Sequence, residues 1–404
     1  MKFPIHIATA HRIAQVEEYY FSRKLAEVRS LDTPDLPVIN LGIGSPDLSP
    51  APEAIEALCA SARHPAHHGY QSYKGIPALR QAIAAFAHRM YGVELNPETE
   101  ILPLMGSKEG IMHITLAFVN PGEEVLIPDP GYPTYASAAK IAGASVRPYV
   151  LREEAGWAID VDHLRSQDLS RVKLMWVNAP HMPTGTTLSA AAFADLVALA
   201  REKGFLIVND NPYSLILNES PESILAVPGS KDVALELNSL SKSHNMAGWR
   251  IGWAAGRPEF IEAILRVKSN MDSGMFLGLQ HAAIEALKLG AEWFDALNGT
   301  YLQRSRIVRQ LLDELNCSYA PKHSGLFVWA KIPDHVEEVE AWLNELLYDT
   351  HVFLTPGFIF GDAGRRFVRV SLCASEEKLT AALLRVRTFV ARRKSEMKKQ
   401  PHDD

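Results

Sequence analysis

Cysteine is scarce in this sequence: Cys59, Cys317 and Cys373 are the only three in 404 residues. Three thiols so far apart, and odd in number, build neither a disulfide framework nor a zinc ligand pair, so a reducing cytoplasm is the expected setting. No run of about 18 apolar residues occurs, which argues against a membrane-spanning helix. The amino terminus, MKFPIHIATAHRIAQVEEYYFSRKLAEVRSL, is broken by charge every few residues and does not resemble an export signal. The sequon Asn298-Gly299-Thr300 then carries no meaning, because glycosylation requires secretion. Charge of one sign is lacking too. Lys plus Arg number 41 against 47 Asp plus Glu, a net charge of −6, and this gives no long-range attraction for nucleic acid or an anionic membrane. A small-molecule partner is expected. The basic tail ARRKSEMKKQPHDD has no interleaved aromatics and reads as a frayed, solvated end. His64, His67 and His68 have no carboxylate or fourth ligand at a suitable spacing, so no metal site is expected there.

What is present is an ordinary globular composition, 47% hydrophobic and 22% charged, with no internal repeat or low-complexity linker. From about Ile101 to Gly256, short β-rich runs (ILPLM, EEVLIP, SVRPYVL, KLMWVN, FLIVND, VALELNSL, IGWAAG) alternate with amphipathic stretches rich in alanine and leucine. Several runs are apolar on both faces, as strands covered by helices on both sides of a mostly parallel sheet must be. Between two of them, Ser189 is a good N-cap for AAAFADLVALAREK and Gly204 a left-handed stop. After about Met275 the pattern changes to long helices followed by GLFVWAKI, a helix rich in Glu and Leu, and FVRVSL. The fold class expected is α/β: a large domain with a mostly parallel, doubly covered sheet, plus a smaller α+β domain built from both chain ends. The corresponding boundaries are an amino-terminal segment 1–48 packing on the small domain, a large domain 49–285, a small domain 286–395 and a disordered tail 396–404.

In open α/β sheets the ligand sits outside the carboxyl ends of the strands. Polar residues gather at those ends here: Gly106-Ser107 after ILPLM, Asn178 ending KLMWVN, Asp210 ending FLIVND, and Ser239, Ser241 and Lys242 at the end of VALELNSL. In SLSKSHNMAGWRIG, small hydroxyl residues flank Lys242 and Arg250 follows eight positions later. Hydroxyl donors plus a planar cation suit a bound phosphate, and a lysine in a partly dry pocket can attack an aldehyde as the free amine. Asp210, buried at a strand end, needs a cationic partner, and a protonated pyridine nitrogen is one. Read alone, Asp210 and Tyr213 are more simply a capping aspartate and a core tyrosine. Ser107 opens a helix whose first amides favour an anion, without the GxxxxGK[ST] spacing of a Walker loop. The GxGxxD of INLGIGSPD lacks the third glycine of a dinucleotide fingerprint, so NAD is not expected.

Together these residues resemble the class I/II aminotransferases of fold type I, the aspartate aminotransferase superfamily. The resemblance runs from about Ile39 to Leu372 and is most specific in SKSHNMAGWRIG, the Asp210 to Tyr213 pair and APHMPTG. It implies pyridoxal 5'-phosphate held as a Schiff base on Lys242, with Asp210 partnering the pyridine nitrogen and Tyr213 donating to the phenolic oxygen. It further implies phosphate contacts from Ser107, the Lys108 backbone N–H, Ser239 and Arg250, with Asn178 and Ser241 beside them at the cofactor. Tyr132 of DPGYPTY is similar to the aromatic that stacks on the ring. Tyr70 is similar to the tyrosine that reaches the phosphate of the neighbouring subunit, which implies a homodimer with shared sites. Arg369 matches the arginine that clamps the substrate α-carboxylate, with Gly44 near that carboxylate in a closing segment.

The implied reaction moves an amino group between an L-amino acid and a 2-oxo acid in ping-pong order, and GSKEGI, DPGYP and SKSHNMAGWRIG look most like the branch containing LL-diaminopimelate and alanine-type aminotransferases. A carbon–sulfur β-lyase on the same fold is the alternative. A non-catalytic regulatory module is the least favoured reading, because no amino-terminal DNA-binding region is seen and Lys242 and Arg369 are retained. One departure stands out. The family's asparagine before Pro183-Thr184-Gly185 is Met182 here, and a thioether cannot donate to the phenolic oxygen; the His181 ring is the possible substitute donor.

Overall fold

Strands that are apolar on both faces must be sandwiched between helices, and the seven such runs of this chain join one sheet. The computed structural model describes residues 7–14, 16 and 20–397; most of the tail, residues 398–404, lies outside them. After a two-residue strand β1 (Ile39–Asn40) come β2 (Ile101–Leu104), β3 (Glu124–Asp129), β4 (Ser145–Val150), β5 (Val172–Asn178), β6 (Leu206–Asp210), β7 (Ala234–Ser239) and β8 (Gly252–Gly256). The last seven lie in the order β2-β8-β7-β6-β5-β3-β4. Neighbours from β7 to β4 are parallel, and β8 alone runs antiparallel to both strands it pairs with. Strand β6 shows why no polar alternation was visible: Ile207 enters one buried cluster and Val208 another, on opposite faces of the sheet. Ser189 accepts the Ala192 N–H at 3.2 Å, and Gly204 ends that helix at φ +75°.

A second sheet follows, in the order β12-β13-β10-β9 and antiparallel throughout. It comprises β9 (Ser318–Tyr319), β10 (Phe327–Lys331), β12 (Thr355–Pro356) and β13 (Phe367–Ser371), while β11 (Val352–Phe353) pairs in parallel with β1. The helix Leu277–Leu287 packs on Pro52–Arg63, whereas Ala291–Glu314 packs on Glu376–Met397, so packing partners change between residues 287 and 291. Residues ahead of 49 touch the second half: Lys24 Nζ donates to Asn344 Oδ1 at 2.5 Å, and Arg304 grips the Asp47 carboxylate at 2.6 and 2.9 Å. The last helix, Glu376–Met397, runs two residues into the segment expected to be a disordered tail, continuing past residue 395. Among the described residues no helix is long and apolar enough to cross a membrane.

Removing the Ser189 hydroxyl leaves a helix-end N–H without its acceptor. Ser189→Ala should lower unfolding stability by about 1 kcal/mol, read as a lower denaturant midpoint at unchanged slope; a midpoint equal to the wild type would show that water replaces the cap.

Candidate active site

The helix Ser107–Phe118 starts directly after β2, and its first amides carry partial positive charge. Gly106, at φ +90°, has no side chain because a Cβ there would sit 2.2 Å from Nη2 of Arg250. The guanidinium therefore lies against the helix start. Arg250 itself holds a left-handed backbone, φ +58°, and donates to the Ala247 carbonyl at 2.8 Å. Ser239 Oγ donates to Ser241 Oγ at 2.8 Å, and Arg250 Nη1 reaches Ser241 Oγ at 3.5 Å. Gly252 on β8 lies close below, since a Cβ on it would be 2.9 Å from the Ser107 nitrogen. Ser107, Ser239, Ser241 and Arg250 thus line one cup at a helix N-terminus, with Lys108 next in the chain. Such a cup suits an oxyanion.

Next to it stands Asp210, 4% exposed. Its Oδ2 accepts the Tyr135 hydroxyl at 2.8 Å, and its Oδ1 has no partner among the described residues. Burial pushes this carboxyl up to about 7, with the Tyr135 hydrogen bond and the Lys242 charge pulling the other way. Tyr135 was not foreseen. Its ring is stacked on Trp176 at 4.9 Å, and the clue lay in its spacing, one helical turn after Tyr132 at the start of Pro133–Ile141. Lys242 Nζ donates to the Gly44 carbonyl at 2.5 Å. Burial lowers its pKa, and the positive charges of Arg369 and Arg250 act in the same direction. Asn178 donates from Nδ2 to the Asp210 carbonyl at 2.7 Å and accepts the Met182 N–H at 2.8 Å; expected at the cofactor, it ties two chain segments together by their backbones. Tyr213 is buried, its ring edge-on to Phe327 at 6.1 Å.

Arg369 comes from the second sheet, on β13 between Trp329 of β10 and Thr355 of β12. Its guanidinium carbon is 3.9 Å from the Phe327 ring centre and 4.6 Å from that of Phe360, a double cation–π contact. Nη2 donates to the Gly42 carbonyl at 2.7 Å and Nη1 to the Met182 sulfur at 3.1 Å. Those two phenylalanines were not singled out either; Phe327 is 42 residues from Arg369, and Phe360, nine residues away, lies in a turn and not on the same strand, so no strand alternation pairs them. His181 pairs through Nδ1 with Thr184 Oγ1 at 2.8 Å, burial drops its pKa to about 4 and so favours the neutral ring, and its Nε2 has no partner among the described residues. Its ring lines a separate small cavity with Tyr149, Leu151 and Trp157. Tyr70 is away from the cup and 93% exposed in the single chain. His64 stacks on His67 at 4.1 Å, which in turn meets His281 edge-on at 5.3 Å. Among the described residues the group with metal-like spacing is Glu109, His113 and Asp272, where Lys268 Nζ already sits 2.8 Å from Asp272.

A buried carboxylate with one oxygen unmatched, a dry amine and a cationic cup on one sheet edge define an enzyme that holds a phosphorylated, aldehyde-bearing pyridine, and the residues fit pyridoxal 5'-phosphate. The model of the family described as aminotransferase class I and II matches residues 37–386, and the chain belongs to that family. LL-diaminopimelate aminotransferase of Oleidesulfovibrio alaskensis is 37% identical over 380 residues, covering 93% of this chain and 98% of the relative. That of Aquifex aeolicus is 38% identical over 354 residues, covering 87% and 91%. Substrate-bound BacF from Bacillus subtilis superposes with a TM-score of 0.90 at 35% identity, covering 95% of this chain and 98% of that one. N-succinyldiaminopimelate aminotransferase from Mycobacterium tuberculosis does so at 0.87 and 27% identity, covering 94% and 100%. The protein is a pyridoxal-phosphate-dependent aminotransferase.

Gly44 touches both Lys242 and the ring beneath Arg369, since its carbonyl accepts a hydrogen bond from Lys242 Nζ and a Cβ on it would lie 2.1 Å from Phe327 Cζ. Gly44→Ala should displace the ring beneath Arg369 and raise KM for an amino-acid substrate about tenfold, within the usual cost of overpacking. A KM equal to that of the wild type in steady-state assays would separate Gly44 from the carboxylate end.

Proposed function

We propose that Lys242 is the catalytic lysine of this aminotransferase and that the donor is an L-α-amino acid of the diaminopimelate kind. The observation that carries the site assignment is the unpartnered Oδ1 of Asp210 beside the desolvated Lys242 amine. The donor class rests on the named relatives, which are LL-diaminopimelate aminotransferases. Pyridoxal 5'-phosphate supplies an aldehyde that condenses with amines and a protonated ring that withdraws electrons from the substrate α-carbon.

Lys242 would hold that aldehyde, and its amine, when free, would carry the proton of the substrate α-carbon to the cofactor carbon, the transfer that leaves a 2-oxo acid to be released by water. Desolvation disfavours the charged form of its amine, so that the free amine is available to accept a proton. Asp210 Oδ1 accepts from the ring nitrogen, while Tyr135 fixes the other oxygen. Ser107, the Lys108 N–H, Ser239, Ser241 and Arg250 hold the phosphate, and Tyr132 packs on the ring. Tyr213 donates to the phenolic oxygen, and Asn178 keeps the 178–182 turn in register with the end of β6. Arg369 binds the α-carboxylate, with Gly44 beside it and Phe327 and Phe360 fixing the plane of its fork. Tyr70, exposed in one chain, serves the site of a second copy, which makes the active unit a homodimer; the free cysteines suit a cytoplasmic location.

The holoenzyme mixed with LL-diaminopimelate and no acceptor should release one 2-oxo acid per active site and stop, and 2-oxoglutarate should restart it. Lys242→Ala should release none. Continuous formation of pyruvate and ammonia without an acceptor would instead establish a β-lyase, and silence toward diaminopimelate with turnover of another amino acid would overturn the donor class.

Met182 leaves the phenolic oxygen with one donor fewer than the family pattern provides. A donor there favours the deprotonated form of the lysine–cofactor linkage, in which the oxygen carries the fuller charge. Hydrogen bonds to charged groups contribute roughly 1.5–3 kcal/mol, which caps the effect at about one to two pH units. Met182→Asn should therefore move the visible-band titration midpoint to lower pH, and a midpoint that stays or rises would refute the role.

A further inference from the structure

Among the contacts that join the two sheets near the site, one is a clasp built on a carboxylate. Strand β3 ends at Asp129, whose Oδ1 accepts the Ala363 N–H at 3.1 Å. Two residues on, the Gly131 N–H donates to the Phe360 carbonyl at 2.7 Å. Gly361, between those acceptor and donor positions, sits at φ +135° and could not carry a Cβ, which would lie 2.1 Å from Asp129 Oδ1. The turn 357–364 is pressed onto the end of β3 by a carboxylate, not merely adjacent to it.

What this joins is specific. On one side the loop that begins at Asp129 leads to Tyr132 and to Tyr135, which holds Asp210. On the other, the turn presents Phe360 against the Arg369 guanidinium. Cofactor end and carboxylate end belong to different sheets, and Asp129 with Gly131 is one of the bridges between them, beside the Gly325 N–H on the Ile216 carbonyl at 2.8 Å and Arg369 Nη1 on the Met182 sulfur at 3.1 Å. We propose that Asp129 is a positioning residue that fixes the Arg369 clamp relative to the cofactor ring, so that substrate α-carbon and Lys242 meet in register. It touches neither substrate nor cofactor. This rests on the assignment of Arg369 and Lys242 above.

The carboxylate is needed in its ionised, acceptor-only form. Burial raises the Asp129 pKa, Asp362 facing it raises it further, and the backbone N–H groups of Ala363 and Asp362 lower it. Arg365 pairs with Asp362, at 2.8 and 3.0 Å to its Oδ1. On acidification the Asp129 carboxyl gains a proton, one acceptor lone pair is lost, and the clamp loosens.

The test uses the holoenzyme. Asp129→Asn, in which an amide replaces a charged acceptor, should raise KM for the amino acid about fivefold while kcat and cofactor affinity change by less than about twofold. Wild-type KM should rise toward acid pH, whereas that limb should be absent in Asp129→Asn and displaced to lower pH in Asp362→Asn, which removes the like charge and keeps the clasp. An unchanged KM in Asp129→Asn, a loss of kcat and of cofactor affinity as large as the rise in KM, or a limb that stays put in Asp362→Asn overturns the proposal. Arg369→Lys separates the two levels: raised KM there with none in Asp129→Asn rejects the clasp alone, and no change in Arg369→Lys rejects the clamp assignment beneath it.

Discussion

A carboxylate removed from water with one of its oxygens unmatched is the constraint around which this molecule is arranged. An isolated charge at that depth is strongly unfavourable, and the chain supplies only half of its compensation, through Tyr135. On the role proposed for Asp210, the remaining half comes from the cofactor's ring nitrogen. The same logic recurs around it. Arg250 lies flat on a helix start that has no side chain to obstruct it, leaving positive potential that only an anion relieves. Burial lowers the pKa of Lys242, and the charges of Arg369 and Arg250 act in the same direction, which disfavours its charged form. Each of the three groups is costly alone, and one phosphorylated pyridine aldehyde answers all three.

The sheet makes this possible because parallel strands deliver their carboxyl ends to one edge. Ser107, Asn178, Asp210 and Ser239 are up to 132 residues apart in sequence, counting from 107 to 239, yet each follows or closes a neighbouring strand of the same sheet. Strand β8 returns antiparallel immediately after the segment 240–251 and so brings Arg250 back beside β2. A reversed strand at this point is what allows one short segment, Ser239 to Arg250, to contribute both the lysine and the phosphate cation.

Much of this was legible in the sequence for physical reasons. The seven central strands are buried on both faces, so their apolar runs stand out, and Ser189 with Gly204 marks both ends of a helix by side-chain and backbone chemistry that is local. Polar residues at the ends of such runs betray the site because nothing else justifies them there. Strands β1, β9, β11 and β12 were missed, since two residues carry no period and owe their pairing to distant partners. Phe327 and Phe360 escaped for the same reason: an aromatic in a β-rich run reads as core, and only the folded arrangement turns it toward a guanidinium. The role of Asn178 was also inferred in part. Its position at the strand end was right, and its amide serves the backbone of two neighbouring segments.

The guanidinium of Arg369 is wedged between two aromatic rings on one sheet, while Lys242 projects from the other. On the roles proposed for them, two layers of the fold set the span between carboxylate anchor and catalytic amine, as the jaws of a caliper set a gauge. Recognition of an α-amino acid skeleton is then a length measurement, made between two sheets.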